Sequence, residues 1–140
     1  MSNRYKIDDQ RSTLWDLSEG VVYNIFKEND DYIVISHNHH VGLYSKKKEE
    51  IIIPAHFDAI GGPFPGSIPN ETFGNPKPFE LHLDNYIGIG SYDGVLLDPI
   101  IDENEYRVYP ETFSEDIVAV ELASDELSLR PTYHFLDTRD

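Results

Sequence analysis

Short runs of β-branched and aromatic residues, separated by turn-forming residues every eight to twelve positions, constrain this chain more than any other feature. Residues 20–26, 31–36 and 50–53 are such runs, and residues 79–84 alternate apolar with polar side chains, as half-buried strands do. Nine to eleven strands can be counted in this way. The pattern predicts a mainly β fold, an antiparallel sandwich or barrel-like sheet with at most one or two short helices.

Two strands allow more detailed predictions, one at residues 51–53 and one at the glycines of residues 86–91. Because side chains alternate along a strand, Ile51 and Ile53 are predicted to point into the core and Ile52 to lie on the opposite face. Gly88 and Gly90 fall on one face of the strand that begins at residue 86, which indicates a bulge or the close approach of another backbone.

The length of 140 residues is that of one domain, which we take to span 1–140. Residues 61–78 contain nine Gly and Pro residues, a density that excludes both a helix and a central strand. Apolar side chains at Phe64, Ile68 and Phe73 are spread through the same segment. We therefore predict a Gly/Pro-rich ordered loop over 61–78 that packs onto the domain.

Acidic residues outnumber basic ones by 26 to 11, and the excess is concentrated in one half of the chain. Residues 79–140 carry 15 acidic and three basic residues, a net charge of −12, against 11 and eight, a net of −3, in residues 1–78. Such a field repels nucleic acid and anionic membranes. It attracts a basic protein and accelerates the encounter with it.

Several functional classes find no support in the composition. Cysteine is absent, which excludes disulfides and thiolate metal sites, and no apolar run approaches the roughly 20 residues that span a bilayer. The first residues show no signal-peptide pattern, so we expect a cytoplasmic protein. Phosphate-binding loops and nucleophile elbows are also missing. We expect neither an enzyme nor a cofactor.

Residues 41–60 have a recognisable order: an apolar-Gly pair, a short strand, a Lys-rich turn, a β-branched run that ends in Pro, and an aromatic-Asp pair. This order resembles the WG repeat of bacterial β-rich proteins, with Val41 at the place of the repeat's Trp. The matching residues are Gly42, Pro54, Phe57, Asp58 and Ile60. With the preceding hairpin, the resemblance covers one degenerate copy over residues 18–60. It implies β-hairpin architecture and a scaffold or binding role.

A histidine cluster is the one candidate for metal chemistry. His37 and His39 would share a face if both lay on one strand, at a spacing that suits a pair of metal ligands, and His40 follows directly. A small metal-dependent enzyme that uses this cluster is therefore one alternative function. The competing interpretation is a polar hairpin end.

The candidate partner-binding surface lies in residues 93–126 and at their edge, where acids are dense and Arg107 is the only basic residue. Its predicted members are Tyr92, Asp93, Asp98, Asp102, Glu103, Glu105, Tyr106, Tyr109, Glu111, Glu115 and Asp116. The tyrosines are suited to anchoring an interface at low entropy cost. Neutralising Asp102, Glu103 and Glu105 together is expected to slow association with a basic partner without lowering thermal stability.

Small acidic β proteins without cysteine resemble the immunity proteins of bacterial toxin systems, whose toxins are frequently cationic nucleases. The resemblance implies a binding protein that neutralises a basic protein partner, an immunity protein masking such a toxin, without binding nucleic acid or membranes itself. A nucleic-acid mimic that inhibits a defence nuclease is the other alternative, because the same acidic surface would serve it.

Overall fold

A computed structural model describes residues 4–61, 78–122 and 133–139. These residues form three antiparallel sheets and contain no helix, which confirms the predicted mainly β fold. Within them, no helix is long and apolar enough to cross a membrane. The predicted loop over 61–78 lies outside the described residues except at its two ends.

In the described part of the chain, thirteen strands make up the three sheets. The first sheet has the order β1 (Tyr5–Asp8), β2 (Thr13–Asp16), β3 (Val21–Glu28), β4 (Tyr32–His37), β5 (His40–Ser45) and β6 (Glu50–Phe57). The second consists of β7 (Ala59–Ile60), β8 (Phe79–Leu83), β9 (Tyr86–Ser91) and β10 (Gly94–Asp102), with β10 and β7 at its edges. The third consists of β11 (Tyr106–Ser114), β12 (Ile117–Leu122) and β13 (Tyr133–Asp137).

A β-bulge in β6 changes the predicted orientation of the isoleucine run. Leu43 of β5 pairs with Ile53 and the next residue, Tyr44, pairs with Ile51, so that Ile52 is an extra residue on β6. An extra residue interrupts the alternation of side chains. Ile52 and Ile53 therefore enter the same core cluster, and Ile51 packs in a different one. Ile53 lies in the core as predicted and Ile51 also packs against a core cluster, but Ile52 shares the face of Ile53, so the predicted division of faces is wrong.

The β4–β6 segment, which we call the first unit, is repeated by β8–β10, the second unit. In both, a two-residue hairpin turn in the left-handed conformation joins the first strand to the second: Asn38-His39 with φ of 51° and 68°, and Asp84-Asn85 with φ of 51° and 69°. Such turns match the twist of the strands they join. Counting from these turns, each position of β4 and β5 corresponds to the position 46 residues later in β8 and β9.

The same bulges follow in both units. The third strand of each unit has two residues more than the second strand between two neighbouring pairs. In the first unit these pairs are Val41–Phe57 and Leu43–Ile53, and in the second they are Ile87–Ile101 and Ile89–Leu97. The backbone of the bulge lies against a glycine in each case. A Cβ on Gly42 would lie 2.6 Å from the carbonyl carbon of Pro54, and one on Gly88 would lie 2.8 Å from that of Asp98. The close approach predicted at Gly88 is thereby confirmed.

The units stack in chain order, and a hydrophobic core lies at each junction. Each unit has two faces, which we call front and back. The front face of the first unit carries Val34 and Leu43, and it packs against the back face of the second unit, which carries Phe79 and Leu81. The front face of the second unit packs against the third sheet; that core contains Ile87, Ile89, Ile101, Val108, Val118 and Val120. Strands β1–β3 cover the back of the first unit, where Leu14, Ile33, Ile35 and Tyr44 form the remaining core. Each layer thus contacts mainly its neighbours, as in repeat proteins.

Candidate functional site

A cleft of about 410 Å³ opens between the second unit and the third sheet. Strands β8 and β9, the turn between β10 and β11, and β11 itself contribute its walls. The lining residues are Glu80, His82, Ile87, Glu103, Asn104, Tyr106, Arg107, Val108 and Tyr109. Five of these carry an ionisable acid, imidazole or phenol group, and Arg107 adds a guanidinium, so the cleft is chemically distinct from the apolar core beside it.

Comparison of the two units shows how the cleft arises. Glu80 and His82 occupy the positions that Val34 and Ser36 occupy in the first unit, 46 residues earlier. Val34 is completely buried at the junction of the units, whereas Glu80 is only half-buried. Polar residues at a position that is otherwise core indicate a site under a requirement other than stability. Glu80 and His82 were not predicted as site residues, although the alternation in residues 79–84 is a signal that would place both on one face.

His82 lies between two carboxylates that come from different layers of the fold. Its Nε2 is 3.2 Å from Glu80 Oε2 on the same strand, and its Nδ1 is 3.6 Å from Glu103 Oε2 on the β10–β11 turn. The side chain is 13% exposed. Burial is the largest single influence and lowers the pKa of His82, but the hydrogen bonds and charges of the two glutamates outweigh it and raise the pKa above its ordinary value. Protonated His82 therefore ties the turn to β8.

The raised pKa predicts a pH-dependent contribution to stability. The contribution of His82 is complete below the pKa of an unfolded histidine and disappears as the pH rises through the higher folded pKa. We expect His82→Gln to lower the free energy of unfolding, measured with urea, more at pH 5.5 than at pH 8.5. His40→Gln is the control, because His40 is more exposed and lies 3.8 Å from its carboxylate, Asp58. A loss at His82 that is the same at both pH values would contradict the assignment.

The β10–β11 turn carries three of the predicted acids in three different roles. Asp102 Oδ1 accepts a hydrogen bond from the backbone N–H of Asn104 at 2.9 Å. Glu103 pairs with His82 through its side chain, and its N–H donates to the carbonyl of Asn85 at 3.0 Å. Glu105 is exposed. Because Asp102 and Glu103 hold the turn in place, we now expect neutralising them to cost stability, which makes them unsuitable for a purely electrostatic test.

The two tyrosines of β11, Tyr106 and Tyr109, line the cleft. Tyr106 is half-buried and packs against the core between the second unit and the third sheet. Tyr109 is also half-buried, and its hydroxyl donates to Glu121 Oε2 at 2.7 Å. Glu121 is 6% exposed, so this hydrogen bond offsets part of the cost of burying its carboxylate. Both side chains thus line the cleft while their other contacts hold them in place.

Tyr92, predicted as an interface anchor, is instead a core residue, and that prediction is wrong. It is 8% exposed and its ring lies 4.6 Å from Tyr32 and 5.4 Å from Phe79, measured between centroids. The β9–β10 turn places it at the junction of the two units, where it is desolvated by the first sheet. Its neighbour Asp93 is paired with Lys48 Nζ at 2.8 Å, so this acid already has a cation within the chain.

The remaining predicted acids are spread over the molecule. Asp98 is exposed in the β10 bulge and Glu111 is exposed in an irregular part of β11. Glu115 and Asp116 form the turn between β11 and β12, at the opposite end of that hairpin from Glu105. The acidic residues therefore do not form one patch. The part of the predicted surface that surrounds the cleft consists of Asp102, Glu103, Glu105, Tyr106 and Tyr109.

The histidine cluster differs from the predicted metal pair. His37 ends β4, and Asn38-His39 form the turn with positive φ, so His37 and His39 do not occupy one face of a strand. Both side chains nevertheless line a cleft of about 510 Å³ with Asp58. His40 Nδ1 lies 3.0 Å from the carbonyl of Asn38. Within residues 4–61, 78–122 and 133–139, no group of three or more His, Asp or Glu side chains is arranged to hold a metal ion.

No protein-family model, no curated protein sequence and no solved structure matches this chain.

Proposed function

We propose that this chain is a small acidic binding protein that neutralises a basic protein partner, and that the partner is a cationic, nuclease-type toxin for which it serves as the immunity protein. The observation that carries the proposal is the charge of the segment that builds the cleft. Between residues 79 and 122 there are eleven acidic residues and a single basic one, Arg107. A cationic active-site region would be steered to this segment and would relieve its internal repulsion.

The geometry of the cleft supports the same conclusion. Its volume of about 410 Å³ accommodates one long side chain, and its walls combine the carboxylates of Glu80 and Glu103 with the rings of Tyr106 and Tyr109. Carboxylates pair with the head group of Lys or Arg, and aromatic rings pack along its stem or face. The resemblance to WG repeats stays a prediction, and the binding role that it implies agrees with the proposal.

Growth protection tests the proposal. A panel of cationic nuclease-type toxin domains is expressed inducibly in bacteria, with and without this chain, and a phage-defence nuclease forms a second arm. We expect the chain to restore growth against at least one toxin. Protection against the defence nuclease alone would favour the nucleic-acid mimic instead. If the purified chain binds none of these proteins, the proposal is wrong.

Charge variants then test the electrostatic mechanism on the toxin identified. Asp98→Asn, Glu105→Gln and Glu111→Gln remove three exposed acids of the acidic segment. Asp9→Asn, Asp30→Asn and Glu50→Gln remove three exposed acids elsewhere and change the net charge equally. We expect the first set to lower the association rate about tenfold at low salt, the lower bound of typical steering, and the second to have a much smaller effect. Equal effects of both sets would show that net charge alone matters.

A further inference from the structure

The cleft between the second unit and the third sheet contains an internal cation when His82 is protonated. The imidazole then directs one N–H at Glu80 Oε2, 3.2 Å from Nε2, and the other at Glu103 Oε2, 3.6 Å from Nδ1. A neutral imidazole has a single N–H and uses its other nitrogen as an acceptor. Only the protonated form can therefore donate to both carboxylates.

Both carboxylates stay within reach of a ligand. The side chain of Glu80 is 24% exposed and that of Glu103 is 35% exposed, whereas His82 is the least exposed of the three. All three line the same cavity of about 410 Å³. A cation that enters this cavity from a partner therefore competes with protonated His82 for the same two carboxylates.

The turn that carries Glu103 is held independently of the proton on His82. The backbone N–H of Glu103 donates to the carbonyl of Asn85 at 3.0 Å, and that of Glu105 donates to the carbonyl of Asp102 at 3.1 Å. These bonds involve no imidazole. Loss of the proton thus releases the two carboxylates while the turn keeps its position beside the cleft.

Among the described residues of the cleft, His82 carries the group whose charge changes near neutral pH. Its direct neighbours on β7 and β9 are apolar, Ala59 and Ile87. The charged and titratable groups that face it from the other elements are Glu80 of β8, Glu103 of the β10–β11 turn, and Tyr106, Arg107 and Tyr109 of β11. Carboxylates, phenols and guanidinium groups ordinarily keep their charge between pH 5.5 and 8.5, and an imidazole does not. Burial lowers the pKa of His82, but the two glutamates outweigh that effect and raise it.

We propose that Glu80 and Glu103 exchange cations when the basic partner binds: they hold protonated His82 in the free chain and an arginine side chain of the partner in the complex, and His82 releases its proton to the solvent. This inference rests on the proposed function and names the side chain that its cleft takes. Arginine suits the site better than lysine, because its planar fork of five N–H groups can donate to two carboxylates and to the ring nitrogen that the proton has left. A second positive charge beside His82 disfavours the protonated imidazole.

Nuclear magnetic resonance of the full chain tests the exchange, with the peptide acetyl-Gly-Arg-Gly-amide as the probe. The Hε1 signal of His82 is followed between pH 5.5 and 8.5 with and without the peptide, which measures the pKa of His82 directly. Because proton and arginine compete, we expect saturating peptide to lower this pKa, and the peptide to bind at least about tenfold more tightly at pH 8.5 than at pH 5.5. The same peptide with citrulline, which lacks the charge, is expected to leave the pKa unchanged.

Three variants locate the effect. His82→Gln is expected to abolish the difference in peptide affinity between the two pH values, whereas His40→Gln, at a histidine beside Asp58 that does not line the cleft, is expected to retain it. Glu103→Gln keeps the backbone hydrogen bond to Asn85 and is expected to weaken binding at pH 8.5 at least about tenfold, because a charged acceptor is lost.

Three results would overturn the proposal: a pKa of His82 that saturating peptide does not change, no binding at tens of millimolar peptide at pH 8.5, or a pH dependence that survives His82→Gln. A lysine peptide that binds as tightly would overturn the assignment to arginine. The pKa measurement uses the unaltered chain, so it decides the question even where a variant fails to fold. Because no toxin is used, failure here leaves the protection experiment unaffected, and failure of protection leaves the arginine site unaffected.

Discussion

Replacing Ile53 with alanine is expected to lower the free energy of unfolding by about 2–5 kcal/mol, the usual cost of truncating a fully buried aliphatic side chain. Ile53 is 0% exposed and lies in the core between the first and second units, where the bulge presents it together with Ile52. Chemical denaturation followed by Trp15 fluorescence or circular dichroism measures the change. The cost depends on how far the surrounding side chains collapse into the space.

Ile100→Ala is the matched control for this experiment. Ile100 is 55% exposed on the flank of β10, so the same change in side-chain type is expected to alter stability by no more than about 0.5 kcal/mol. Similar losses at the two positions would mean that the core does not lie between the units as described.

Substituting alanine for Gly42 or Gly88 is the second change with a large expected effect. The added methyl group would meet backbone atoms of the bulge, 2.6 Å away at Gly42 and 2.7 Å away at Gly88, where the Pro99 nitrogen is the contact. Backbone cannot rotate aside as a side chain does, so we expect each substitution to cost about 3 kcal/mol, the upper part of the range for overpacking.

Gly90→Ala separates this effect from the loss of glycine itself. A Cβ on Gly90 would meet the side chains of Phe79, at 2.8 Å, and Leu81, at 3.0 Å, which can move. We therefore expect a smaller loss than at Gly42 or Gly88 in the same urea titration. Because Gly42 and Gly88 are equivalent in the repeat, their losses are expected to agree; a large loss at only one of them would be evidence against the repeated bulge.

Local patterns in the sequence were sufficient to predict the fold class. The alternation that begins at residue 79 and the β-branched run at 50–53 each depend on neighbours within a few positions, and they lie in β8 and β6, which are strands as predicted. The charge asymmetry is likewise a property of the sequence alone, whereas Glu80 and His82 were not predicted as site residues. Strand β1 was missed because Tyr5-Lys6-Ile7-Asp8 has too few apolar residues to stand out, and it is secured instead by pairing with β2.

The first unit lies within residues 18–60, where the sequence resembles a WG repeat, but the second unit was not recognisable from sequence. In the second unit Asp98 stands at the place of Pro54, and the proline follows one residue later, as Pro99, in a bulge that faces Gly88. The two units share their register and turn conformations more than their residues, and register becomes visible only when the partner strand is known.

Contacts between layers decided the rest. The alternation of side chains along a strand predicted that Ile52 lies on the face opposite Ile51 and Ile53. The pairing of β5 with β6 contains a bulge, and this bulge places Ile52 in the core. Tyr92 had the composition of an interface anchor, yet stacking of the second unit on the first buried it. Strand and turn preferences are properties of a few adjacent residues and can be inferred from them. Burial and the meeting of His82 with Glu103, 21 positions apart, depend on how separate sheets pack, so only the tertiary structure determines them.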